Sequence, residues 1–291
     1  MENVPDDIRK ITGGAGHSII IVESGDTWVT GWNNKGQLGI GSNDDINNFM
    51  KLEMNHKFVK VSCGWDTSAG TTEDGQLFVW GSNSHNQLGF LCSEFKQINE
   101  PKVLALPDND RVEDIQFGLR HSVVLTKSNR IFIMGSLKHF KGCQNATIIR
   151  HNATEILEIH HDKKVKQIAS GQNHVVFLDE SNTISSIGDL KYNQAGVQLC
   201  PLDKIIKIAA GWTHNAFLTE TKKLHLWGRN NYGQLGSGSR TDSVEPSKSI
   251  LLDVDDFQLG AEHGILISNG EVYCWGWNEH GNCGVASLDD V

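Results

Sequence analysis

Short apolar runs, joined in pairs by polar turns, recur along the whole chain. The first pair, "SIIIV" and "TWVTG", flanks the turn "ESGD" within residues 18–31. Later pairs read "VVLT-KSNR-IFIMG" and "AFLT-ETKK-LHLWG". The runs are too short for typical helices and favour β-forming residues, so each pair predicts a β-hairpin. Apolar residues fill both phases of the runs, which indicates sheets that are covered on both faces, as in blades that stack side by side.

Two landmarks place these hairpins in a fixed register. The first is Gly-x-x-His, whose histidines are His17, His121, His174, His214 and His263, with Thr67 in the His place of a further copy. The second is a glycine after each hairpin: Gly31, Gly81, Gly135, Gly188, Gly228 and Gly276. The step from the first landmark to the second is 14 residues in five copies and 13 in the last, whereas successive copies lie 40 to 54 residues apart. A rigid unit therefore repeats six times, and the connections absorb the changes in length.

A loop phrase, "xNxxGQLG", follows the second landmark. It is clearest at residues 36–39, 86–89 and 233–236, and its recurrence indicates a structural turn with a leucine plug between neighbouring units. Strand repeats of about 50 residues predict a β-propeller. We expect a single all-β propeller domain over residues 1–291, with repeat landmarks from Gly14 to Gly284. The third copy has lost the phrase, so residues 136–164 are a divergent connection, either a relaxed repeat or a private binding loop.

The order Gly-x-x-His, hairpin, Trp-Gly-x-Asn-x-x-Gly-Gln-Leu-Gly resembles the regulator of chromosome condensation repeat family over roughly residues 8–284. Propellers of that family usually have seven blades, whereas this chain holds six copies of each landmark. The resemblance therefore implies an open arc of six blades, with strand edges and apolar surface exposed at the first and last repeats. A tighter six-bladed ring is the alternative. A gap would be expected of a fragment or an isoform that lacks a closing blade.

The residues just before each His position differ between copies, although the scaffold around them repeats. The scaffold does not fix their chemistry, so they are candidates for partner recognition: Trp65, Asp66, Arg120, Asn173, Trp212, Thr213 and Glu262. In a chromatin-associated member of the family, acidic residues at such positions face the bound GTPase. The resemblance thus implies that Asp66 and Glu262 oppose a basic GTPase surface. We expect Asp66, Trp212 and Glu262 to lie exposed or half-exposed on one common face.

Motifs for chemistry at a catalytic or metal site are missing from the sequence. The landmark histidines belong to different blades, so we expect each to make a buried hydrogen bond that ties strands within its own blade, and we expect no metal site. The glycine-rich residues 13–16 lack the phosphate-loop pattern. The sequence also lacks a Gly-x-Ser-x-Gly elbow. We therefore expect no catalytic residue and no cofactor, and an enzyme with its own active site has no motif in its support.

The charge and hydropathy of the chain restrict its partners. The net charge is −9 without a Lys/Arg stripe, so we expect no nucleic acid partner. No apolar run of membrane-spanning length occurs, and the acidic N-terminus is unlike a signal peptide. Together with scattered cysteines, these features favour a cytoplasmic protein, and a nuclear location is also compatible. The resemblance implies a guanine nucleotide exchange factor or regulator of a small GTPase. The alternative is a non-catalytic scaffold for protein interactions.

Overall fold

The computed structural model describes residues 6–248 and 253–291. These residues form six antiparallel sheets, and in five of them neighbouring strands follow one another in the chain. The predicted all-β propeller class with six repeats is therefore confirmed, and each sheet is one blade. Among the described residues the helical content is one 3-10 turn, Pro107–Asn109.

Three blades lie in the first compact unit, Met1–His160. Blade 1 contains β1 Ile8–Gly13, β2 His17–Val22, β3 Thr27–Gly31 and β4 Ile46–Lys51. Blade 2 contains β5 Phe58–Cys63, β6 Thr67–Thr72, β7 Leu77–Ser82 and β8 Gln97–Leu104. Blade 3 contains β9 Val112–Phe117, β10 His121–Thr126, β11 Ile131–Gly135, β12 Ala146–His151 and β13 Thr154–Ile159.

Blade 3 has five strands, in the order β12-β13-β11-β10-β9. The divergent connection predicted at residues 136–164 forms the additional hairpin. Strand β13 takes the place beside β11 that a fourth strand takes in blades 1 and 2, and β12 lies outside it. The hairpin turns at Asn152 and Ala153, which both have positive φ angles, as a tight two-residue turn requires. In blade 3 a hairpin therefore stands where the other repeats carry the "xNxxGQLG" loop phrase.

Three blades also lie in the second compact unit, His161–Val291. Blade 4 contains β14 Val165–Ser170, β15 His174–Asp179, β16 Ile184–Gly188 and β17 Gln198–Leu199. Blade 5 contains β18 Ile205–Ala210, β19 His214–Thr219, β20 Leu224–Gly228 and β21 Ser243–Lys248. Blade 6 contains β22 Asp256–Leu259, β23 His263–Ser268 and β24 Glu271–Gly276. The predicted single-domain organisation of residues 1–291 stays a prediction.

The second strand of most blades is buried along its whole length. All residues of β6, β10, β15 and β19 are buried, because side chains on both faces of the strand pack inside the unit. The leucines of the loop phrase, Leu38, Leu88 and Leu235, are also buried and belong to these cores. This is the packing that apolar residues in both strand phases predict.

The second strand of blade 6 departs from this pattern, and the first strand of blade 1 is more exposed than the first strands of blades 2 to 5. Ile8 and Ile11 in β1 are exposed, and so are Ile265 and Ile267 in β23. Apolar surface at the first and last repeats is therefore present, as the sequence led us to expect.

Candidate partner-binding site

The variable residues of each repeat lie at one end of the blade. The Gly-x-x-His turn joins the first and second strands there, and the landmark glycine ends the third strand beside it. The residue after that glycine donates its backbone N–H to the carbonyl of the residue before the His position. These N···O distances are 2.7 Å for Trp32 and Gly16, 2.9 Å for Ser82 and Asp66, 2.8 Å for Ser136 and Arg120, 2.9 Å for Asp189 and Asn173, 3.0 Å for Arg229 and Thr213, and 2.9 Å for Trp277 and Glu262. Two variable positions thus lie side by side in every blade, and we call this end the turn end.

Both landmark glycines are required by close approach. Gly31 has a φ of 108°, and a Cβ there would lie 2.2 Å from the carbonyl oxygen of Gly16. Gly171 in the first landmark leaves room for its own histidine, because a Cβ would lie 2.0 Å from Cε1 of His174. A side chain at either position would push the turn end apart.

Two of the landmark histidines, His17 and His174, join neighbouring blades, so the expectation of a bond within the blade is corrected for these two. His17 Nε2 lies 2.9 Å from Oγ of Ser68, and His174 Nε2 lies 2.6 Å from Oδ1 of Asn215. Ser68 and Asn215 directly follow the His position of the next blade. Burial lowers the pKa of His17 and of His174 to about 4, so both rings are neutral at physiological pH.

The other landmark histidines have different surroundings. His121 is buried with its ring centroid 4.8 Å from that of Phe140, and His263 is half-buried. His214 is fully buried, and neither ring nitrogen has a hydrogen-bond partner among the described residues. In the next blade its expected partner position is Gly264, where a Cβ would lie 2.2 Å from the ring of Trp275. Burial lowers the pKa of His214 to about 3.

In the first unit, the candidates for recognition reach the surface of the turn end. Trp65 is 45% exposed, Asp66 is half-buried and Arg120 is exposed. Burial raises the pKa of the Asp66 carboxyl, while a hydrogen bond from Ser82 and the charge of Lys35 oppose this shift. The first unit therefore presents an indole and a carboxylate on the turn of blade 2, and a guanidinium on blade 3 at the position equivalent to Asp66.

In the second unit, the acidic candidate is internal. Asn173 and Trp212 are half-buried, as expected for a surface turn. Glu262 and Thr213 are buried, so the expectation that Glu262 is exposed or half-exposed is wrong. The Glu262 carboxylate accepts a 2.8 Å hydrogen bond from Oγ1 of Thr213 and a 2.7 Å bond from Nε2 of Gln234. Burial raises the pKa of Glu262, against the effect of these two donors.

Other turn-end residues were missed by the sequence reasoning. Trp32 is exposed and covers the Gly16 turn, since a Cβ on Gly16 would lie 2.3 Å from its ring. In the second unit, Arg229 lies between the rings of Tyr192 and Tyr232. The sequence does contain a signal for them, because the residue directly after the landmark glycine differs between copies. These residues are Trp32, Ser82, Ser136, Asp189, Arg229 and Trp277.

Among the described residues, no group of three or more His, Cys, Asp or Glu side chains is arranged to hold a metal ion. The described part of the chain also contains no helix that is long and apolar enough to cross a membrane.

Comparison with known proteins agrees with this architecture. The sequence profile described as "RCC1-like domain" matches residues 2–291. The chain is 29% identical to the "Secretion-regulating guanine nucleotide exchange factor" of Bos taurus, over 98% of this chain and 69% of that protein. It is also 29% identical to the human "X-linked retinitis pigmentosa GTPase regulator", over 67% of this chain and 24% of that protein.

A solved structure shares the fold. The crystal structure of Kap60 bound to yeast RCC1 (Prp20) contains a chain that matches with a TM-score of 0.84 and 22% identity. The match covers 98% of this chain and 73% of that one. At this identity the likeness supports the fold alone.

Proposed function

Because this chain belongs to the RCC1-like domain family, we propose that it regulates a small GTPase and acts as a guanine nucleotide exchange factor. The proposed contact residues lie at the turn ends of the blades: Trp65, Asp66 and Arg120 in the first unit, and Asn173 and Trp212 in the second unit. One similar protein is named a guanine nucleotide exchange factor, and another is named a GTPase regulator.

The observation that carries this proposal is the variation of side chains on an invariant frame. The backbone bonds of the turn end repeat in all six blades at 2.7 to 3.0 Å. The side chains displayed on that frame differ from blade to blade. A partner that binds the turn ends of one unit therefore contacts a different residue at each blade, and each of these residues is held by a rigid backbone.

An exchange factor with these features needs no covalent chemistry. It accelerates GDP release by binding the nucleotide-free GTPase more tightly than the GDP-bound form. A half-buried carboxylate such as Asp66 and an exposed guanidinium such as Arg120 supply polar contacts for that purpose. We further propose that the partner is a protein and not a nucleic acid, and that this chain acts in the cytoplasm or the nucleus.

A scaffold without exchange activity is the second candidate. The observation that favours it is the additional hairpin of blade 3, Ala146–His151 and Thr154–Ile159, which extends the sheet by one strand. Ile148 on this hairpin is exposed. An outer strand with an exposed apolar residue suits a static protein contact.

The release of fluorescent GDP from a panel of purified small GTPases tests both candidates. Catalytic amounts of the wild-type protein are expected to accelerate release from at least one GTPase. A variant with Trp65→Ala and Asp66→Asn should lose most of this acceleration, whereas Lys204→Gln, a change at the end of blade 5 opposite its turn end, should keep it. Binding without acceleration would favour the scaffold. The absence of both binding and acceleration for every GTPase in the panel would refute GTPase regulation.

A further inference from the structure

Each of three consecutive loops of the second unit is closed by a hydrogen bond from its backbone to one of its own side chains. Oδ1 of Asn230 accepts from the backbone N–H of Leu235 at 2.9 Å, and Oδ1 of Asn278 accepts from that of Cys283 at 2.8 Å. The side-chain oxygen of Gln194 accepts from the N–H of Tyr192 at 2.7 Å. Because each loop is closed by its own side chains, the variable residues on it are preorganised.

These variable residues lie in a continuous row of cation–ring and ring–ring contacts. The Lys191 ammonium lies 4.9 Å from the ring centre of Tyr192. The Arg229 guanidinium lies 4.7 Å from the same ring and 5.3 Å from that of Tyr232. The ring of Tyr232 lies 6.3 Å from that of Trp277. We call these five residues the aromatic–cation ladder. Cation–π contacts of this kind fix the planes of the groups and leave their edges available for hydrogen bonds.

Arg229 is the residue of the ladder with unused hydrogen-bonding capacity. Its nearest carboxylate is Glu262 at 3.7 Å, which is beyond hydrogen-bond length, and Glu262 already accepts bonds from Thr213 and Gln234. Among the described residues the Arg229 guanidinium donates no hydrogen bond, although its side chain is only 24% exposed.

Arg130 in the first unit is the contrasting case. Its side chain is 28% exposed, and its guanidinium donates to both carboxylate oxygens of Glu158, at 2.7 and 3.2 Å. It also donates to Asp108 at 2.8 Å. All three side-chain nitrogens of Arg130 therefore donate to carboxylates, whereas none of those of Arg229 does so among the described residues.

We propose that the aromatic–cation ladder is a docking site for an acidic side chain of a protein partner, with Arg229 as the residue that binds the carboxylate. A carboxylate matches the planar fork of a guanidinium, and the flanking rings shield the pair from water. Lys191 adds a second positive charge at one end of the ladder. A protein is the expected source of the carboxylate, because the chain as a whole carries a net charge of −9 and repels polyanions such as nucleic acids.

This inference rests on the proposed function and specifies it. The acid at this turn, Glu262, is buried, and the cation beside it is partly exposed. The GTPase surface that meets the second unit is therefore acidic, whereas a basic surface would suit Asp66 of the first unit.

The test measures the affinity of nucleotide-free small GTPases for four purified proteins: wild type, Arg229→Gln, Arg229→Lys and Lys204→Gln. Arg229→Gln should weaken binding by about tenfold or more, because a buried charge-assisted contact at an interface is lost. Arg229→Lys should recover part of this loss. The control Lys204→Gln removes one positive charge from the exposed pair with Glu220 and should bind as wild type does. Equal affinities of wild type and Arg229→Gln for a bound GTPase would overturn the inference.

A second probe separates the two proposals when no GTPase binds. In that outcome the proposed function fails, and fluorescein-labelled peptides of alternating Glu and Tyr, or of Gln and Tyr, decide the inference. Saturable binding of the Glu peptide to wild type, and its loss in Arg229→Gln, would support the ladder as a carboxylate site. The inference is wrong if the two peptides bind alike or if neither binds. It is also wrong if a short oligothymidylate displaces the Glu peptide from wild type and itself binds less tightly to Arg229→Gln. Thermal unfolding of each variant checks that the fold is kept.

Discussion

His174 of blade 4 is joined to Asn215 of blade 5 by a buried contact of 2.6 Å between Nε2 and Oδ1. Asn215 passes the connection on, since its Nδ2 donates to the carbonyl of Gln194 at 2.9 Å. The same chain of contacts in the first unit runs from His17 to Ser68 and from Ser68 to the carbonyl of Gln37. In both cases three residues form one hydrogen-bonded connection that holds adjacent blades together: the landmark histidine, the residue after the His position of the next blade, and the glutamine of the loop phrase.

Replacement of His174 with alanine should lower stability without a specific effect on partner binding. The change leaves Oδ1 of Asn215 buried without its partner, which costs about 1–3 kcal/mol. Urea unfolding of the pure protein measures this loss. An unchanged unfolding midpoint together with abolished partner binding would show that His174 serves recognition instead.

A double-mutant cycle isolates the His174–Asn215 contact from the loss of side-chain volume. His174→Ala and Asn215→Ala should each destabilise the protein, and together they should cost less than the sum by about 0.5–3 kcal/mol. Additive effects would mean that the two side chains do not interact in solution.

Acid should destabilise the protein between about pH 6.5 and pH 4. The pKa of His17 and of His174 is lowered to about 4, and that of His214 to about 3. In this range the unfolded chain binds protons that the folded chain excludes, so stability is fully present above the unfolded pKa and falls as pH decreases. At pH 5 each of the three rings should account for a loss of about 2 kcal/mol relative to neutral pH. Chemical unfolding at several pH values measures the slope.

The control for this pH dependence is the variant His174→Gln, which keeps polar atoms at the site and cannot gain a proton. Its stability should fall less steeply from pH 6.5 to pH 4 than that of wild type. Glu262 acts in the opposite direction, because burial raises its pKa and the folded state then binds the extra proton at low pH. A wild-type stability that is flat or rises over this range would contradict the assignment of buried neutral histidines.

Local features of the fold could be predicted from the sequence, whereas contacts between blades could not. Hairpins follow from short apolar runs and turn residues that are close in the chain. The burial of Glu262 depends on Thr213 and Gln234, which lie 49 and 28 residues away. The partner of His174 is 41 residues away. A repeat pattern gives the register of each blade, but it does not say which side chain of the next blade faces it.

Trp65 should contribute to partner binding and little to stability. It is 45% exposed at the turn end, whereas Trp80 of the same blade is fully buried and stacks on Phe58 at 5.7 Å. Trp65→Ala should change the free energy of unfolding by about 1 kcal/mol or less and should weaken GTPase binding. Trp80→Ala should cost about 3–5 kcal/mol. Trp65 would have no role in recognition if its alanine variant bound and exchanged at wild-type rates.

The exposed isoleucines of the first and last blades have buried counterparts that serve as internal standards. Ile11 pairs with the third residue after its landmark histidine, as Ile208 does, yet Ile11 is 67% exposed and Ile208 is 7% exposed. Ile267 and Leu218 both follow their histidines by four residues, with exposures of 43% and 1%. The same sequence position is therefore core in one blade and surface in another.

The variant with Ile11→Ser and Ile267→Ser should self-associate less than wild type, with little loss of stability. Exposed apolar residues on strands attract other copies of a protein, and a hydroxyl at these positions remains in contact with water. In the matched control, Ile208→Ser and Leu218→Ser each remove a buried side chain and should cost about 2–5 kcal/mol. Analytical ultracentrifugation over a range of concentrations measures association, and urea unfolding measures stability. If the Ile11 and Ile267 changes destabilised the protein as much as the control pair, both isoleucines would be covered in solution, and the apolar surface at the first and last repeats would not exist.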